Sequence, residues 1–178
     1  MIFLNTYNRT ADAIATSADW LLPSLARLVF AAVLLRYFWT SAGTKLDGIF
    51  TVTDGGYGQI FPRAFEAVGF DSAALGPFHY LVVLSGAWAE FLLPLTIVIG
   101  LFTRLAALGM IGFVVVQSLT DIFGHMVGPE IIGAWFNATS NDLILDQRAF
   151  WIMALVVLVV KGAGPLSCDR ILRQWVSG

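Results

Sequence analysis

The chain has 178 residues, of which 58% are hydrophobic and only 12% charged, and its formal net charge is −2. Soluble domains hold about 45–50% apolar and about 25% charged residues, so this composition excludes an ordinary water-soluble globule, and the charge leaves no basic face for nucleic acid. The single cysteine, Cys168, excludes an internal disulfide, a CxxC redox pair and a cysteine iron–sulfur ligand set, so electron chemistry would need another carrier or a partner.

Met1 to Asp19 lacks the basic start and apolar core of a removable signal peptide. Thr10 to Trp20 reads as a short amphipathic helix on the membrane surface, with Ala, Ile and Trp on one side. Four apolar segments follow. They run from about Leu21 to Gly43, from Phe78 to Leu101 with Glu90 as the only charge, from Leu105 to Phe123 with Asp121 near its end, and from about Ala149 to Leu166, where Lys161 is placed to snorkel. Each is near the roughly 20 residues that cross the hydrocarbon. Helices are the economical solution, because backbone amides cannot stay unpaired in lipid. The expected architecture is all-α: one membrane domain over residues 1–178, an integral four-helix bundle with an N-terminal interfacial helix. Two outer-face loops, 44–77 and 124–148, form a cap.

Charge sets the orientation. Arg9, Arg104, Lys161, Arg170 and Arg173 fall on one side; Lys45, Arg63 and Arg148 fall on the other, among seven carboxylates. The positive-inside rule places both termini in the cytoplasm. Trp20, Trp39, Trp135, Trp151 and Trp175 fall near the expected interfaces. In the loops, Asp54-Gly55-Gly56-Tyr57-Gly58 is a turn signal and Pro62 to Val68 suits a short helix. The loops are rich in aromatic residues, among them Phe61, Phe65, Trp135 and Phe136. Such loops either fold back as a cap or anchor to headgroups.

A charge at bilayer depth is expensive and is normally paired or functional. Glu90 lies about ten residues, roughly 15 Å, from the cytoplasmic end of its helix, and Arg36 roughly 20 Å from that of the first helix, at 1.5 Å per residue. The two helices are antiparallel neighbours, so Arg36 and Glu90 are the expected intramembrane pair. It serves either as structural glue or as the setting of a proton-binding or ligand-orienting carboxylate. Arg27, nine residues before Arg36, points to the opposite face and is expected to reach headgroups, while Lys45 returns to the face of Arg27 at the outer end. A second cluster, Lys45, His79, Asp121 and His125, is expected at the outer boundary, with interfacial hydrogen bonding as its role. Two histidines on adjacent helices are a haem ligand set in principle, but His79 and His125 lie at helix ends, so haem is disfavoured and no metal is expected. Ser85, Gly86, Ala87 and Ala89 allow close packing around Glu90, as do Gly109 and Gly112 on the third helix. Pro94 removes the backbone hydrogen bond to the Glu90 carbonyl.

Three motifs stand in order on these spans. They are Ser41-Ala42-Gly43-Thr44-Lys45-Leu46; Glu90 followed by Ile99-Gly100-Leu101-Phe102-Thr103-Arg104-Leu105-Ala106-Ala107-Leu108; and Gly162-Ala163-Gly164-Pro165-Leu166-Ser167-Cys168-Asp169-Arg170-Ile171-Leu172. Over about residues 20 to 173 the chain resembles the DoxX family. That resemblance implies a four-helix inner-membrane protein, some of whose relatives are membrane subunits of thiosulfate:quinone oxidoreductases. It marks Gly43, Lys45, Glu90, Thr103, Arg104, Asp169 and Arg170 as family-motif residues. The expected function is an accessory or quinone-interacting subunit of a membrane redox complex. No independent catalytic activity, catalytic residue or intrinsic cofactor is expected; quinone is the one ligand class the reading admits. The lipid bilayer is the expected partner, with an oxidoreductase partner and homo-oligomerisation left open. The alternatives are a small proton-coupled carrier, or a scaffold without a ligand.

Overall fold

The computed structural model describes residues 2–177. Four of its helices are long and apolar enough to cross a membrane: Phe3–Lys45, Pro77–Ile99, Thr103–Gly124 and Leu143–Lys161. They form a bundle in which the first span packs against the second and fourth, and the third against the second and fourth. The protein is a multi-pass membrane protein.

The first span is built from α1 (Ile2–Phe30), a π-helical turn (Ala31–Leu35) and α2 (Arg36–Lys45). The expected separate surface helix is instead the beginning of α1. Nothing breaks the chain there: no glycine lies between Ile2 and Phe30. The hydroxyls of Thr10, Thr16, Ser17 and Ser24 each donate to the carbonyl four residues back, at 2.7–3.0 Å. Through and beyond the π turn the buried side chains are Phe30, Leu34, Phe38 and Ala42, spaced four apart. That spacing is wider than the 3.6 of a regular helix, as π winding requires.

The second span is α5 (Pro77–Ile99), which runs unbroken through a buried Pro94 and ends at Gly100 in the left-handed conformation, φ 72°. The third is α6 (Thr103–Leu119) extended by a π turn (Thr120–Gly124). The fourth starts with a π turn at Leu143–Gln147, continues as α8 (Arg148–Lys161), and stops at Gly162, φ 80°. It therefore lies about six residues earlier than the apolar run suggests. Gly162, Gly164 and Pro165 end the helix before the apolar residues do. A terminal helix, α9 (Cys168–Ser177), follows.

The core at the termini end of the bundle joins Phe30, Leu34 and Phe38 to Ile97, Met110, Val114, Leu155 and Leu158. Trp151 packs there against Tyr37 and Phe38, and Trp39 donates to the Phe91 carbonyl at 3.1 Å. Both tryptophans therefore serve the bundle rather than an interface. At the loop end, α3 (Asp54–Ile60) and α4 (Pro62–Ala67) lie over the spans. The expected turn at residues 54–58 is thus the start of a helix, N-capped by Thr53, whose Oγ1 accepts from the Gly56 N–H. Gly56 lies so close to the end of α2 that a Cβ there would be 2.9 Å from Val83 and 3.1 Å from the Lys45 carbonyl. Tyr57, Phe65 and Val83 form a second small core, so the first loop is a packed cap. The second loop, with α7 (Pro129–Ile132), is less integrated: Ile144 is buried, but Trp135 and Phe136 are exposed.

Candidate functional site

A cleft of about 520 Å³ lies between α5 and α6 beneath the end of α3, within the size range of small-molecule sites. Its floor is ionic. Lys45, on the last turn of α2, places Nζ 3.0 and 2.9 Å from the two carboxylate oxygens of Glu90. The same ammonium donates to the Ser41 hydroxyl at 2.7 Å and the Ser41 carbonyl at 3.2 Å. Lys45 and Glu90 are 4% and 3% exposed, so the pair is fully withdrawn from the surface. Three donor sites and two anionic oxygens satisfy one another, which is what keeps two charges tolerable in a low-dielectric interior.

The expected Arg36–Glu90 pair is therefore corrected: Glu90 takes its cation from Lys45. Arg36 stands two residues from buried Leu34 and two from buried Phe38, and at 100° per residue this puts it on the opposite, exposed side of the helix. Depth alone made Arg36 a candidate; within α2, Lys45 falls on the buried stripe with Phe38 and Ala42, and that selects it.

The expected outer cluster is divided. Asp121 pairs with Arg148 at 2.6 Å, and Arg148 also donates to Ser118 at 3.0 Å, latching the third span to the fourth. His125 places Nε2 3.0 Å from the Gln59 carbonyl, tying the end of the third span to α3. His79 sits edge-on to Phe61 and Phe78, with its Nδ1 buried and unpartnered. Asp121 and His125 line the upper cleft together with Gln59, Gln117 and Thr120. Sequence reasoning missed Ser41, Gln59, Gln117 and Arg148. Ser41 was findable, since it lies one helical turn before Lys45. Gln117 donates to the Tyr37 hydroxyl at 3.1 Å and leaves its buried Oε1 without a partner.

The side of the cleft is as informative as its floor. Ser85, Gly109, Gly112 and Val116 line it and are exposed, so in a bilayer they face the acyl chains. A Cβ at Gly112 would meet nothing within 4 Å, so the side of the cleft is open there, whereas Gly109 packs against Leu93, which a Cβ would approach to 3.1 Å. A compound dissolved in the membrane can approach Glu90 laterally.

The DoxX family model matches residues 22–125, more than half of the chain. The protein belongs to the DoxX family. Every residue lining the cleft, from Ser41 to His125, falls within the matched segment. No curated protein matches the chain, and no solved structure does.

Thr103, Arg104, Asp169 and Arg170, which the sequence resemblance singles out, gather at the opposite, termini end; Asp169 and Arg170 lie beyond the matched segment. The Asp169 carboxylate accepts from the backbone N–H groups of Phe102 and Thr103, at 2.7 and 3.0 Å, capping the third span with a residue from α9. The Asp169 N–H donates to the Gly100 carbonyl at 2.8 Å. Arg104 packs beside Gly162, and the Arg170 N–H donates to the Ser167 hydroxyl. Arg27 does not reach for headgroups. Its guanidinium donates to the carbonyls of Ile97 at 3.0 Å and Ala163 at 2.9 Å, and to those of Val98 and Leu166. Ile97 and Val98 lie in the last turn of the second span, where carbonyls lack full intrahelical partners, and Ala163 and Leu166 lie in the loop after the fourth, so one side chain ties the two ends together. Gly100 must be glycine: beyond its left-handed φ, a Cβ would come within 2.6 Å of Ser167 and 2.9 Å of Arg27. Gly43 differs, being exposed with open space around its Cα. These residues thus fall at two ends, around the ionic floor of the cleft at one and in a staple at the other.

Proposed function

We propose that this protein is a membrane subunit that binds a lipid-soluble redox carrier of the quinone class in the cleft and works with a partner oxidoreductase. The observation that carries the reading is the buried Lys45–Glu90 pair on the floor of a cleft open sideways to lipid. A quinone headgroup needs hydrogen-bond donors for its carbonyls and an apolar channel for its tail. The Lys45 ammonium would turn one of the N–H groups it now gives Glu90 and Ser41 towards a quinone carbonyl, Glu90 is a carboxylate able to exchange a proton, and the uncrowded Gly112 leaves room for the tail. The chain has one cysteine, too few for a dithiol redox pair, so in this reading electrons come from a partner. The reading places the protein in the inner membrane with both termini cytoplasmic and the cleft mouth at the outer face.

A proton-coupled carrier is the second reading. It needs a water path from Glu90 to both faces, but Phe38, Ile97, Met110 and Leu155 fill the bundle between the cleft and the termini end. That favours a one-sided binding site.

Photolabelling of the protein in native membranes with an azido-quinone tests the proposal. Adducts are expected on α5 and α6, competed by free quinone. They should be lost in Gly112→Leu, which puts a bulky side chain where a Cβ meets nothing within 4 Å. Absence of competed labelling, together with no quinone and no redox protein co-purifying in mild detergent, would overturn it.

A further inference from the structure

The start of α1 lies outside the family match, which begins at residue 22, and plays no part in the cleft. It projects beyond the termini face as a continuation of the first span. Leu4, Tyr7, Ala11, Ile14 and Ala18 recur along it at alternating intervals of three and four, the spacing of a coiled-coil seam. Leu21, Leu25 and Leu28 continue the alternation into the membrane. Among the described residues the large side chains of this stripe are uncovered, Leu4, Tyr7 and Ile14 being 67%, 70% and 65% exposed, while Ala11 and Ala18 are half-buried. Lipid covers Leu21 to Leu28 at no cost, but outside the hydrocarbon an apolar stripe on a lone helix has nothing to stabilise it.

We propose that this stripe is a homodimer seam, pairing α1 of one chain in parallel with α1 of a second copy. Three observations select that occupant. The positions flanking the seam outside the membrane, Asn8, Thr10, Ala15 and Ser17, carry no charge, so two identical helices meet without like-charge repulsion. Arg9, Asp12 and Asp19 all lie away from it. Two copies in one bilayer share an orientation, so their seams are parallel and in register. Alternation of small Ala11 and Ala18 with large Tyr7 and Ile14 lets the backbones approach closely. The seam from Leu4 to Leu28 spans about 36 Å at 1.5 Å per residue, more than half of it outside the expected hydrocarbon.

A bilayer surface is the competing cover, and two facts disfavour it. The helix runs on without a non-helical residue, through Pro23, so nothing here lays its start flat, and Lys161 at the end of the fourth span holds Asp19 at 2.7 Å, over the bundle. The charges of residues 3–20 sum to +1 for Arg9 and −2 for Asp12 and Asp19, a net −1 that an anionic leaflet does not attract.

Single-cysteine scanning of the full-length protein in membranes, in a Cys168→Ser background, tests the seam. Oxidation should give a disulfide-linked species of twice the chain mass at Ala11→Cys, Ile14→Cys and Ala18→Cys, several-fold more than at Arg9→Cys and Thr16→Cys on the far side. In mild detergent, Ile14→Asp should convert dimer to monomer by light scattering while the thermal transition of the bundle is unchanged. Equal cross-linking at all five positions, no dimer at any, or adducts to a different protein would overturn the proposal. A spin label at Ile14→Cys that is quenched by a lipid-soluble relaxant would do so in favour of the bilayer surface.

Discussion

Replacing Lys45 by Met separates the structural consequences of the cleft floor from those of any ligand. The substitution keeps most of the side-chain length and removes the charge. Glu90, 3% exposed, is left with at most the Ser41 hydroxyl. Removing one member of a buried ion pair strands the other and costs about 3–5 kcal/mol. Glu90→Gln should cost less, because the ammonium keeps its two Ser41 acceptors at 2.7 and 3.2 Å and gains an amide oxygen. The double variant Lys45→Met/Glu90→Gln strands nothing and should recover most of the loss, since apolar replacement of a buried pair is often close to neutral. Arg36→Met, on an exposed site, should stay within about 0.5 kcal/mol of the parent. Reversible unfolding in mixed micelles titrated with a denaturing detergent measures all four. The reasoning requires a Lys45–Glu90 coupling energy of roughly 2 kcal/mol or more. If the two single effects simply add, or if Arg36→Met is the most damaging of the set, the pairing described here is wrong.

Two further outcomes follow from features away from the cleft. Asp169→Ala uncaps two backbone N–H groups at the start of the third span and should cost roughly 1–2 kcal/mol. Hydrogen exchange should show faster amides at Phe102 and Thr103 and a more protease-sensitive α9; unchanged exchange at both amides would rule out the cap. In the first loop, burial, then Tyr80, then Asp54 hold the Tyr57 phenol above its ordinary range. Its contribution to stability is therefore intact below about pH 10, the unfolded phenol value, and is lost as pH rises through the higher folded one. An alkaline absorbance titration should show a late-ionising tyrosine that disappears in Tyr57→Phe; a difference spectrum with an ordinary midpoint would refute the packing of that loop.

Some of this was legible along the chain and some was not. Glu90 stands out as the sole charge in the second span, and Pro62 announces a short helix that is present. The partner of Glu90 was not legible, because depth favoured Arg36 and set Lys45 at the outer boundary, whereas the Lys45 side chain reaches back one turn to Ser41 and so brings its ammonium to Glu90. Arg148 looked like a loop cation because the fourth apolar run begins after it; the helix in fact begins at Leu143, which carries Arg148 inward to Asp121.

What the sequence determined by itself is that this is a four-span membrane protein, because burial in lipid acts on long stretches of composition, and composition is written linearly; the likeness to DoxX rests on the short motifs, not on composition. What the tertiary structure decided is which charges meet, where the cleft opens and how the tail caps the third span. Those outcomes depend on rotations of about 100° per residue and contacts below 3 Å between residues as far apart as Lys45 and Glu90, or Phe102 and Asp169. Distances of that kind exist only once the helices have packed.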